Sequence, residues 1–106
     1  GGEEPNTPEI PLDLGVSNYP NPFNPSTLIC LTLAESDCAA ATVKIYNSRG
    51  QLVRRLEAPR TAAETATFSA VWDGCDEVGK AVSSGVYLAR IQAGTHQMLH
   101  KMVMMK

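Results

Sequence analysis

Hydrophobic and polar residues alternate with a period of two along most of the chain, the spacing that sends successive side chains to opposite faces of an extended strand. In Thr27–Leu33 (TLICLTL) the alternation puts Ile29, Leu31 and Leu33 on one face. Thr42–Asn47 (TVKIYN) sets Val43 and Ile45 against Lys44 and Tyr46. Gln51–Leu56 (QLVRRL) answers it across Ser48-Arg49-Gly50, a short hairpin connection in which Gly50 is free to take a positive φ. Ala66–Trp72 (ATFSAVW) opposes Phe68, Ala70 and Trp72 to Thr67, Ser69 and Val71. Gly85–Ala93 and His96–Met105 form a last hairpin around Gly94-Thr95, and a seventh strand is expected near Val16–Tyr19. Helical periodicity is poor; only Leu33–Ala41 has the alanines for a turn of helix.

Short strands separated by closely spaced turn signals predict an all-β fold, an immunoglobulin-like antiparallel β-sandwich of about seven strands. Trp72, the sole tryptophan, is its natural central core residue. The Pro-rich segment at residues 1–15, with Pro5, Pro8 and Pro11 at three-residue spacing, favours extended conformation and reads as a linker remnant. The folded unit is expected over residues 16–106. It opens with YPNPFNPST (Tyr19–Thr27), whose two Asn-Pro pairs forbid a helix and give a rigid, kinked lead-in.

Length allows one domain and not two. A net charge of −2 gives no electrostatic footprint for nucleic acid, and the one basic pair, Arg54-Arg55, reads as a solvated strand face. No stretch is long and apolar enough for a membrane-spanning helix. The start, Gly1-Gly2-Glu3-Glu4, is acidic and has neither an initiating Met nor a signal peptide, so the chain reads as part of a larger exported protein. Three cysteines allow at most one disulfide. A Cys38–Cys75 bridge would need both loops at one end of the sandwich; otherwise the cysteines are incidental small residues.

Candidate chemistry is sparse. His96 and His100 share a strand face but sit roughly 13 Å apart, too far to ligate one metal, and read as solvated. No serine has a nucleophile-elbow context. Asp73, Asp76 and Glu77 lie in a glycine-bearing loop where carboxylates cap turns or, less simply, bind calcium. The Met cluster (Met98, Met102, Met104, Met105) is either core or part of an edge strand open to a partner. No catalytic residue, metal site, cofactor or small-molecule substrate is expected.

Four segments in order, YPNPFNPST, VKIYNSRGQLVRRL (Val43–Leu56), WDGCDEVGKAVSSGVYLARIQAG (Trp72–Gly94) and KMVMMK (Lys101–Lys106), resemble the C-terminal sorting domains of type IX secretion substrates. They also resemble the related immunoglobulin-like domain of flagellar hook-capping proteins. The resemblance implies a non-enzymatic domain that directs a covalently attached carrier protein from the periplasm across the outer membrane to the cell surface. Its implied partners are an outer-membrane secretion translocon and a sortase-like peptidase. The motif positions carried over as partner-recognition residues are Pro20, Asn21, Pro22, Gly50, Gly85, Val86, Tyr87 and the tail from Lys101 to Lys106. The Gly85–Lys106 hairpin, as an uncovered terminal edge, is the expected recognition surface. Two alternatives stay open: a permanent structural or assembly module, and a carbohydrate- or surface-binding accessory domain.

Overall fold

The computed structural model describes residues 15–61 and 65–106. The linker reading of Pro5, Pro8 and Pro11 falls outside them. Within them the chain forms seven strands: β1 (Gly15–Tyr19), β2 (Thr27–Leu33), β3 (Ala40–Tyr46), β4 (Leu52–Pro59), β5 (Ala66–Trp72), β6 (Gly85–Ala93) and β7 (His96–Met104). They make two antiparallel sheets, ordered β1-β2-β5 and β4-β3-β6-β7. The expected sandwich is therefore the observed one.

Three expected strands, Thr27–Leu33, Ala66–Trp72 and Gly85–Ala93, have the bounds their alternation gave. Elsewhere tertiary pairing moves the ends. The alanines after Cys38 form no helical turn; Ala40 and Ala41 open β3 because Ala41 is buried opposite Ala58. That pairing also carries β4 on to Pro59, which an edge strand tolerates because its missing N–H can face away from the ladder. A register shift between Ile45 and Tyr46 lets β4 accommodate an extra residue.

The inner faces of both sheets supply the core, with Ile29, Leu31 and Phe68 from one and Val43, Ile45, Ala89 and Ile91 from the other. Trp72 is fully buried, as the sequence predicts, but toward one end of the core, where the end of β5 pairs with the start of β2. Met102 and Met104 are also fully buried, whereas Met105 is exposed, so most of the methionine cluster is core.

Pairing register also assigns the loops to ends. Leu33 faces Ala66 while Thr27 faces Trp72, so the loop after β2 and the loop after β5 leave from opposite ends. Cys38 lies beside the β6–β7 turn, its Sγ 3.2 Å from where a Cβ on Gly94 would stand. Cys75 lies at the other end, and all three thiols are free. The two loops do not share an end, so the Cys38–Cys75 pairing is excluded.

Candidate functional site

The motif residues converge on one end of the sandwich. The lead-in between β1 and β2 crosses to β7 and seals part of its outer edge. Phe23 N–H donates to the Val103 carbonyl at 3.0 Å, and Met105 N–H donates to the Phe23 carbonyl at 3.0 Å. Asn21 Oδ1 accepts Val103 N–H at 3.0 Å across 82 residues of sequence. The Asn21 side-chain carbonyl thus takes the place that a backbone carbonyl of a neighbouring strand would hold. Lys106 N–H is bound in turn by Ser84 Oγ at 3.0 Å, next to Gly85, which pairs with Met104.

Under this strap the aromatic rings stack. Phe23, 1% exposed, lies 5.4 Å from Trp72, and Trp72 meets Tyr87 edge-on at 5.3 Å. Each polar tip has a partner, with Trp72 Nε1 donating to the Cys75 carbonyl at 2.9 Å and Tyr87 Oη to the Ser83 carbonyl at 2.6 Å. Burial of a ring with its polar atom satisfied is what makes such a cluster stable.

Gly74 closes the cluster from above. Its φ is +77°, and a Cβ there would stand 2.5 Å from both the Pro25 carbonyl oxygen and Met104 Cε. Gly50, by contrast, has φ +80° in open space and is required only by its turn, in which Asn47 Oδ1 accepts the N–H groups of Arg49 and Gln51.

Asp73 and Asp76 cap turns of the loop, while Glu77 reaches to β4 and accepts the Arg55 N–H. Asp73 Oδ1 accepts Cys75 N–H, and Asp76 Oδ1 accepts the N–H groups of Val78 and Lys80. Arg54 is not a solvated strand residue as expected. It reaches over the loop to Asp73 Oδ1 and the Cys75 carbonyl, both at 3.1 Å.

His100 also departs from expectation. It points inward, with Nε2 2.6 Å from Asn18 Oδ1. Asn18 spends its amide hydrogens on Thr27 Oγ1 and the Pro20 carbonyl, so its oxygen must face His100 and Nε2 must carry the proton. Burial pulls the His100 pKa below its ordinary value.

The structure thus brings Pro20, Asn21, Pro22, Gly85, Tyr87 and the end of the Lys101–Lys106 tail to one corner, with Gly50 in the neighbouring hairpin and Val86 on the outer face. It corrects the view of β7 as an uncovered edge. The strap covers Val103–Met105, and alternation along the ladder leaves the outward backbone groups of Gln97, Leu99 and Lys101 beyond it. Phe23 and Gly74 were missed as candidate residues, although both stand inside quoted motifs.

Several large apolar side chains stand exposed beside this corner. Tyr19 (81% exposed), Leu28 and Val71 are aligned across β1, β2 and β5, and Met105 is exposed beyond the strap. A cleft of about 570 Å³ between the β3–β4 hairpin and the β5–β6 loop is lined by Asn47, Leu52, Glu77, Val78 and Tyr87.

This architecture is that of an immunoglobulin-like domain. The FlgD Ig-like domain model matches residues 29–97, and the chain belongs to that family. The strap and the tail lie outside the matched stretch. No curated protein sequence matches the chain. Dimeric latent PorU from Porphyromonas gingivalis contains a similar fold at TM-score 0.68 and 26% identity, over 84% of this chain and 9% of that one. PorZ, a surface component of the type IX secretion system of the same organism, contains one at TM-score 0.60 and 22% identity, over 87% of this chain and 12% of that one. The chain therefore spans about a tenth of each of these larger proteins, and the motif resemblance has a counterpart in three dimensions.

Proposed function

We propose that this domain is a non-catalytic sorting and anchoring signal that directs a larger exported protein through a type IX secretion system to the cell surface. The observation that carries the reading is the convergence of three of the four sequence motifs, separated by up to 82 residues, on one corner beside exposed apolar side chains, with the fourth in the adjacent hairpin. Fold maintenance alone gives little reason for Tyr19, Val71 and Met105 to stand exposed beside the strap. Similarity to folds within PorU and PorZ supports a role connected with that secretion route. The recognition surface on this reading is the composite of strap and tail rather than the last hairpin alone. Its partners are an outer-membrane translocon and a sortase-like peptidase.

Deleting Lys101–Lys106 is a poor test, because Met102 and Met104 are core residues and their loss would unfold the domain. A cleaner test fuses the chain to a periplasmic reporter in a host with a type IX system and compares it with a Tyr19→Ser/Met105→Ser variant. Surface-exposed reporter should fall at least several-fold in the variant while circular dichroism shows the fold intact. Equal display would refute the composite surface. A second reading, a permanent structural module, draws on the FlgD Ig-like family match. It would prevail if the unaltered fusion stayed folded in the periplasm while a native cargo was exported in parallel.

A further inference from the structure

The outer face of the four-stranded sheet carries an arrangement that neither the fold nor the sorting reading requires. Register places Arg55 of β4 directly opposite Lys44 of β3, and Lys44 directly opposite Arg90 of β6. Lys101 of β7 stands one step along, opposite Leu88. Like charges facing each other across neighbouring strands destabilise a sheet. Among the described residues, the ion pairs resolved on this sheet belong to Arg54, and none relieves this row. Glu57, opposite Thr42, is the acidic side chain that alternation places on this face; Glu77 approaches from the β5–β6 loop and accepts the Arg55 backbone N–H. The chain as a whole carries a net charge of −2, so this concentration of cations is not a by-product of composition.

Two of these cations, Arg90 and Lys101, border an apolar hollow. Tyr46, Val86, Leu88 and Leu99, with Arg90 and Lys101, line a depression of about 520 Å³. Val86, Leu88 and Leu99 are 45%, 38% and 58% exposed, and the Arg90 guanidinium lies 5.8 Å over the Tyr46 ring. We propose that this face is a docking surface for an extended, acidic segment of a partner protein, with carboxylates on the cationic row and apolar side chains in the hollow. A strand-like segment repeats its same-face side chains every ~6.8 Å and so offers both kinds of group along one line. A polyphosphate or sulfated glycan would match the cations but leave the apolar walls wet. The proposal holds whether or not the domain addresses a carrier.

The test titrates the isotope-labelled chain with the eight-residue peptide Glu-Ser-Val-Ser-Glu-Ser-Val-Ser, whose glutamates and valines share one face when extended, followed by amide chemical shifts. Saturable binding should displace resonances of Tyr46, Leu88, Leu99 and Lys101. A Lys44→Glu/Arg90→Glu double variant should weaken binding at least ten-fold, and Leu99→Ser several-fold. Lys80→Glu, on the β5–β6 loop, should leave it unchanged. The uncomplexed Lys44→Thr variant should melt at a higher temperature than the parent, because it breaks the repulsive row; a lower melting temperature would remove the premise. No saturable binding, shifts confined to the three-stranded sheet, or equal binding of a lysine–valine peptide would each overturn the proposal. So would binding of inorganic polyphosphate without binding of the peptide, which would assign the face to a polyanion.

Discussion

The two ends of the sandwich are closed by different physical means. At the motif end, closure is spread over many contacts: two backbone hydrogen bonds at Phe23, one accepted by the Asn21 side chain, the packed rings of Phe23, Trp72 and Tyr87, and Arg54 held over Asp73 and the Cys75 carbonyl. At the opposite end one cation does much of the fastening. Arg60 donates to the carbonyls of Thr65, Ser36 and Cys38 and lies 5.9 Å over the Phe68 ring. A guanidinium can hold several carbonyls because its five donors are fixed in one plane. Distributed closure should tolerate loss of any one polar contact, whereas a hub should not.

That contrast can be broken by substitution. Phe23→Ala should have the largest effect, destabilising by about 3–5 kcal/mol in chemical denaturation, because it empties a packed aromatic site as well as freeing the strap. Hydrogen exchange should then quicken at Met105 before the strands at the Arg60 end. Next, Gly74→Ala should cost about 2–4 kcal/mol, since it combines a disfavoured φ with a clash against fixed backbone. Gly50→Ala should cost about 1 kcal/mol, from φ alone. Equal losses at the two glycines would show that Pro25 and Met104 yield freely.

Arg60→Lys should cost about 1–3 kcal/mol, the scale of leaving part-buried carbonyls without a donor. Asn21→Ala, at the distributed end, should cost about 1 kcal/mol or less. Reversal of that order would refute the hub description. The smallest effect is in pH. His100 has a folded-state pKa below its unfolded value, so the unfolded chain takes up its proton first as pH falls through about 6.5. Stability should decline from there and level off below the folded pKa. His100→Gln, which keeps a donor for Asn18, should abolish that slope in thermal melts across the same range.

Much of this was legible from the period-two pattern, and the reason is local. Ile29, Leu31 and Leu33, or Phe68 and Trp72, face inward because strand geometry sends alternate residues one way, whatever the partner strand. What was not legible depends on contacts across the whole chain. From its neighbours Asn21 reads as turn chemistry, singled out only through the family resemblance, and Phe23 as a lone aromatic, since nothing near them shows that Val103 will stand alongside. His100 reads as a surface residue until Asn18 is placed beside it. Cys38 and Cys75 look equivalent in the sequence, and only the antiparallel pairing of β2 with β5 sends their loops apart. The basic row of Arg55, Lys44 and Arg90 likewise needs the strand order β4-β3-β6, which alternation within each strand does not reveal. The convergence of the motifs is thus a property of topology, although each motif is visible on its own.

The strap also sets a clock on synthesis. Phe23 and Asn21 leave the ribosome early, but their partners Val103 and Met105 are added some eighty residues later, and β6 must take its place between β3 and β7. Contacts of such separation are slow to form and cannot be anticipated by local structure. The corner therefore cannot assemble on a growing chain before its last strand has been made. Its completed shape reports that translation has run through residue 105.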